Sequence, residues 1–219
     1  MTGSLLSILL IGFLLGIKHA IEPDHVIAVS TIASKSKDIK RSVFAGVYWG
    51  IGHTATLFIF GMFLIIAKNT ITDTVALSLE FLVGIMLVTL GVNSIVSILK
   101  HSHQHTHASD TNEKARPHIK SFFIGLIHGL AGSAAMVLLT MSTVTTAWQG
   151  AIYILIFGCG TVIGMLSFST VIGLPFVLTS GKQVNRYLNN LAGIISILFG
   201  IYYMYNLGVN EGLFSLWFS

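Results

Sequence analysis

Six long apolar stretches, at about 4–33, 42–67, 75–99, 120–141, 148–179 and 187–208, fill most of this chain and leave no room for a soluble domain. Each reaches the roughly 20 residues that a helix needs to cross the hydrocarbon of a bilayer. Lipid offers a backbone no hydrogen-bond partners, so such stretches fold as helices that satisfy their own polar groups. Of the 219 residues 53% are hydrophobic and only 9% charged, and the mean hydropathy of +0.83 suits lipid rather than water. The expected fold is an all-α integral membrane protein with six transmembrane helices.

The first stretch lacks a positively charged leader, so it reads as an anchor and not as a cleaved signal peptide. Basic residues set the orientation. Lys35, Lys37, Lys40 and Arg41 follow the first stretch; Lys100, Lys114, Arg116 and Lys120 follow the third; Lys182 and Arg186 follow the fifth. The second connection has only Lys68 and the fourth has no basic residue. The positive-inside rule then places the odd connections in the cytoplasm and both termini outside, in a multi-pass protein of the cell (plasma) membrane. The net charge of +4 is accounted for by this bias, so the partners are membrane lipids and no nucleic acid. The sole cysteine, Cys159, permits neither an intrachain disulfide nor a dithiol relay, which argues against membrane proteins that pass electrons through a cysteine pair.

The chain also repeats itself. At an offset of 109, Gly16 matches Gly125, His19 matches His128, Leu82 matches Leu191, Gly84 matches Gly193 and Gly91 matches Gly200; at 108, Gly50 and Gly52 match Gly158 and Gly160. Three spans per half is an odd number, so the halves must be inverted in the membrane, an architecture of secondary transporters with the site at midplane. Residues 1–99 form the first three-helix repeat, 100–119 a His-rich cytoplasmic loop and 120–219 the second repeat. Glycine matches alone reflect close helix packing, and the His19/His128 match is what lifts the repeat above that.

Within the first stretch runs Gly16-Ile17-Lys18-His19-Ala20-Ile21-Glu22-Pro23-Asp24-His25. Ionisable groups at membrane depth are costly and mark functional sites. Imidazole nitrogen and carboxylate oxygen are the donors that borderline divalent metals favour. Pro23 removes a backbone donor and crowds the carbonyl of His19, so the first helix should break near Pro23. In an unbroken helix His19 and Asp24 would point about 140° apart, whereas a break lets His19, Asp24 and His25 converge and frees a carbonyl to join them. Lys18 and Glu22, four apart, are expected to pair with each other as charge balance. The competing reading of the run, a polar network that staples helices, usually draws on serine, threonine and asparagine rather than charges.

His53, in Trp49-Gly50-Ile51-Gly52-His53-Thr54, is read as a ligand or as a support for one. His128 stands between ligand and packed core histidine, since it lacks acidic neighbours.

These residues resemble the nickel/cobalt transporters, in particular their short six-span members of the urease-accessory type. The resemblance rests on the signature His-x4-Asp-His, here His19 through Asp24-His25, and on a Gly-His-Ser/Thr element, here Gly52-His53-Thr54. It implies that His19, Asp24, His25 and His53 bind the metal, that the cargo is Ni²⁺ or Co²⁺ without any prosthetic group, and that cytosolic nickel-handling or urease maturation proteins are partners. The acidic signatures that longer members carry in their second half are missing from Gly129–Ala135 and Gly164–Thr170.

The central loop offers accessory chelators in alternation, His101, His103, His105 and His107. Membrane enzymes are the competing class. His19-x4-Asp24 also matches acyltransferases of the HX4D type, but no interfacial domain accompanies it. Di-iron oxygenases need more histidine clusters, and Ser133 lacks the Gly-x-Ser-Gly setting of an intramembrane hydrolase. The expected function is transport of a divalent transition metal, nickel or cobalt, with export of another metal as a further alternative, and no enzyme activity.

Overall fold

The computed structural model describes residues 5–34, 38–68, 71–101, 117–144, 146–179 and 181–218. They form α1 (Leu5–His19), α2 (Pro23–Ala33), α3 (Ile39–Ala67), α4 (Asp73–His101), α5 (Pro117–Thr143), α6 (Ala147–Leu178), α7 (Lys182–Tyr205), a π-helical turn at Asn206–Asn210 and α8 (Leu213–Phe218). Among the described residues there is no strand. Of the central loop, His103, His105 and His107 lie outside the described residues, while His101 closes α4.

Helix ends fall where local chemistry stops the apolar runs. The Asp38 carboxylate accepts the Lys40 N–H at 3.0 Å to open α3, and Thr146 Oγ1 accepts the Gln149 N–H at 3.3 Å to open α6. Lys68, at φ 51°, closes α3 in the left-handed conformation. Four segments are long and apolar enough to cross a membrane: α3, α4 from Asp73 to Ser97, α6, and Gln183–Asn210. The pair α1 and α2 makes a fifth as one broken span, bent by 54°. The protein is therefore an all-helical, multi-pass membrane protein.

The contact registers give helix directions. Gly12 meets Tyr153, and further along Gly164 meets Ala20, so α1 and α6 run parallel. Gly125 meets Trp49 and Gly129 meets His53, which makes α5 parallel to α3. Gly46 faces Ser169 while Gly158 faces Thr54, so α3 and α6 are antiparallel. It follows that α1 and α5 point in opposite directions. The close contacts come in matched pairs. A Cβ on Gly16 would strike the Phe157 carbonyl, and one on Gly125, 109 residues later, would strike the Trp49 carbonyl. Gly52 abuts Phe122 O and Gly160 abuts Phe13 O in the same way. Between α4 and α7, Gly91 faces the Gly193 carbonyl and Gly200 faces that of Gly84.

Such approach without side chains brings backbones close enough for dispersion and short polar contacts, the main sources of helix association in lipid. Thr56 Oγ1 donates to Leu126 O on α5 at 3.0 Å, and Ser196 Oγ donates to Leu87 O across α4 and α7 at 2.7 Å. Trp49, Ala20, Ala28 and Met165 lie in one buried cluster. Leu10, Leu14, Phe63, Ile66, Leu198 and Ile201 are exposed, the inversion expected of surfaces that face acyl chains.

Candidate metal site

The site begins where α1 stops. The backbone tightens over residues 20–22: Ile21 N–H donates to Lys18 O and Glu22 N–H to His19 O, each at 3.1 Å. Glu22 is extended (φ −63°, ψ 146°), and Pro23 follows as the first residue of α2, where its missing N–H costs nothing. Asp24 and His25 consequently sit on the opening turn of a half-helix that points away from α1 at 54°. The break expected from Pro23 is present. One detail differs: the carbonyl of His19, expected to be free for an ion, accepts the Glu22 N–H, because the chain turns through i+3 bonds instead of unwinding.

Three further helices close on this break. His53 from α3 brings its Nε2 to 3.0 Å from His19 Nε2. His128 from α5 brings its Nε2 to 2.8 Å from Asp24 Oδ2. His25 stands between them, its Nδ1 3.2 Å from Asp24 Oδ1 and its ring centroid 4.5 Å from His19, 5.1 Å from His53 and 4.1 Å from His128. The five side chains named in the sequence for a metal thus meet in one cluster. His19 and Asp24 do not touch each other, and His25 links them. Each of two groups, His19 with His25 and His53, and Asp24 with His25 and His128, presents ligand atoms within 4.8 Å of one another.

The surroundings are dry on one side and open on the other. His25, His53 and His128 are at most 2% exposed. Trp49, fully buried on α3, lies 5.5 Å from the His128 ring and 6.4 Å from that of His25. Beyond Trp49, a crevice lined by Val29, Ile32, Ser42 and Gly46 is too narrow for water. On the opposite side a cavity of about 180 Å³ reaches His19 and Glu22, walled by Leu15, Leu57, Met136 and Phe157. Relative to the histidines these residues lie on the N-terminal side along α1, where Leu15 precedes His19, and on the C-terminal side along α3 and α5, where Leu57 follows His53 and Met136 follows His128. The buried nitrogens His25 Nε2, His53 Nδ1 and His128 Nδ1 have no hydrogen-bond partner, an expensive state for a polar core with only structural duties. Imidazoles with one carboxylate are the ligand set of borderline divalent metals.

The expected Lys18–Glu22 pair does not form. Glu22 Oε2 instead lies 2.9 Å from His19 Nδ1, because α1 ends at His19 and residues 18 and 22 no longer share a helix face. Carboxylate contact at the far nitrogen is how metal-binding imidazoles are commonly oriented. Trp49 and Phe157 escaped the sequence reading because each looked like ordinary apolar filling. They correspond at an offset of 108, and each lies 5.5 Å from the matched histidine of the other half, Trp49 from His128 and Phe157 from His19.

A family model described as the cytochrome C biogenesis protein transmembrane region matches residues 7–202. The urease accessory protein UreH of a Bacillus species is 59% identical over 221 residues, covering 97% of each chain. A proposed nickel/cobalt efflux system of Methanocaldococcus jannaschii is 30% identical over 205 residues, covering 87% of this chain and 88% of that protein. The chloroplast protein FOR GROWTH AND FERTILITY 2 of Arabidopsis thaliana is 28% identical over 171 residues, 74% of this chain and 46% of its own length. No solved structure matches the chain. The first two relatives are named as an accessory protein and an efflux system, not as enzymes.

Proposed function

Because the chain belongs to the cytochrome c biogenesis transmembrane-region family and, within it, stands beside the urease accessory protein UreH, we propose that it carries a divalent transition-metal ion, Ni²⁺ or Co²⁺, across the membrane. The observation that carries this reading is the cluster at the helix break: three buried imidazoles, a fourth at the mouth of a cavity, and Asp24 within reach of two of them. Neutral nitrogens and one carboxylate replace the ion's water while leaving it a net charge, so binding stays weak enough for release. Acidification protonates imidazole and competes with the ion, so affinity falls as pH drops through the histidine range. An electron relay, which the family's description could suggest, has no pair of thiols to work with, since Cys159 stands alone and faces outward.

Six crossings in two inverted halves are the architecture that best accommodates the site. The opposed directions of α1 and α5 and the matched glycine contacts support it, with α5, at 27 residues, as the sixth span. On this reading both termini are outside, and the cavity opens to the outer face, where α3 meets α4 and α5 meets α6. The His101–His107 loop is cytoplasmic, placed to exchange ions with nickel-handling or urease maturation proteins.

The test is accumulation of labelled nickel and cobalt in cells carrying the intact protein or His19→Ala, Asp24→Asn or His25→Ala. Each substitution should lower accumulation by about 10–100-fold, the usual consequence of removing a metal site's ligand or its support. Unchanged accumulation of every metal in all three variants rejects the reading.

A further inference from the structure

The cluster divides into two overlapping triads that share His25. We propose that the transported ion occupies them in turn, handed across on His25 from an outer position on His19, His25 and His53 to an inner position on Asp24, His25 and His128. This rests on the transport reading above and adds to it the route that the ion takes through the site.

Spacing is the first reason. Around an ion with bonds of about 2.1 Å, neighbouring ligand atoms sit roughly 3.0–3.5 Å apart. His19 Nε2 and His53 Nε2 stand 3.0 Å apart, and His128 Nε2 and Asp24 Oδ2 stand 2.8 Å apart. Two pincers are therefore nearly at ligand spacing, each closed on a proton. His25 lies between them and its Nε2, buried and unpartnered, is the atom free to serve either.

Proton balance is the second. Glu22 at His19 Nδ1 holds that ring's proton there and leaves Nε2 as a lone pair. The proton between the rings then sits on His53 Nε2, and His53 Nδ1, which has no partner, can take it. His128 donates from Nε2 to Asp24, and its Nδ1 is likewise without a partner. As the ion arrives, each ring shifts its proton from Nε2 to Nδ1 and turns a lone pair to the metal, with no proton gained or lost overall.

Access and charge supply the direction of the hand-over. Of the five ligands the cavity reaches His19 alone, beside Glu22, and none of His25, His53, Asp24 or His128, so an entering ion meets His19 first and the outer triad, which contains it, loads first. It carries no charge of its own, whereas the inner triad holds Asp24, so the ion exchanges neutral imidazoles for an anionic oxygen as it sheds its last water. Trp49 then blocks onward passage until the helices move.

Co²⁺ absorption on purified protein in detergent tests this, since the visible bands report the ligand set. Outer variants (His19→Ala, His53→Ala) and inner variants (Asp24→Asn, His128→Ala) should each bind one Co²⁺ with two different spectra, and the class that keeps the tighter position should bind within about two-fold of the intact protein. His25→Ala should bind none. A single spectrum shared by all four variants, or loss of binding in every outer or every inner variant with the metal-free melting transition intact, overturns the proposal. Glu22→Gln keeps every ligand and guards against misfolding: its spectrum should move toward that of the outer variants, and an unchanged spectrum counts against the hand-over. Co²⁺ flux into vesicles by the intact protein separates the two ideas. Two spectra without flux reject transport and leave the two positions standing; flux with one spectrum does the reverse.

Discussion

His19 and His128 are counterparts at an offset of 109, each set beside the aromatic side chain of its own helix pair, yet they have become different devices. Around His19 the helix stops, turns through Glu22 and restarts at Pro23. Around His128 the helix continues, from Pro117 to Thr143, and the residues that correspond to Pro23, Asp24 and His25 are Gly132, Ser133 and Ala134. The matched glycine contacts hold the two halves in equivalent places, so packing is shared between them. What differs is one proline and the groups that it exposes. On the inverted-repeat reading proposed above, two similar scaffolds face each other, and the proposed ion site lies where one of them breaks while the other stays whole beside it.

The sharpest way to break this comparison is to mend the broken half. Pro23→Ala restores the backbone donor that lets α1 run on past His19, and in a continuous helix His19 and Asp24 diverge by about 140°. Metal accumulation should fall by about 10-fold or more, read with labelled nickel against the unmodified protein. Gly132→Ala, the same position in the other half, leaves α5 unbroken and puts a methyl in ordinary contact at 3.8 Å from His19 Nε2 on the cavity wall, so it should lower accumulation less than Pro23→Ala does. Equal loss in both variants would show that the break is not what distinguishes the halves.

A smaller effect sharpens what the halves have in common. Gly16→Ala pushes a methyl into the Phe157 carbonyl and Gly125→Ala pushes one into that of Trp49. Each should cost about 1–3 kcal/mol by overpacking, seen as a similar drop in melting temperature for both. A drop in only one variant would mean that α1 against α6 and α5 against α3 are not equivalent packings.

Much of this was legible in the chain because the bilayer asks for something simple. Apolar runs of sufficient length mark helices wherever they occur, and the run at 42–67 falls within α3, which ends at Ala67. The break was legible because proline acts through its own covalent structure. Partners across the break were not. The pairing of Lys18 with Glu22 assumed the periodicity of a helix that had already ended, and Glu22 turned to His19 instead. Trp49 and Phe157 carry no mark in the sequence that separates them from other aromatic residues in apolar runs, and only the contacts across helices reveal their places beside the histidines. His128 was undecided for the same reason: its acid partner, Asp24, comes from the other half of the chain.

The smallest expected effect concerns the segment that joins the halves. If the two scaffolds assemble through glycine contacts and the ion is held at the break, then the alternating histidines of the connection act before or after passage and not during it. Deleting residues 101–107 should alter how efficiently cells accumulate metal at low external concentration, by about the few-fold that a local chelating tract gives through raised effective concentration. Flux of Ni²⁺ or Co²⁺ into vesicles, where no cytosolic partner competes, should persist. Complete loss of vesicle flux with an unchanged melting transition would move the loop from accessory to path, and the comparison between a broken and an unbroken half would then need a third part.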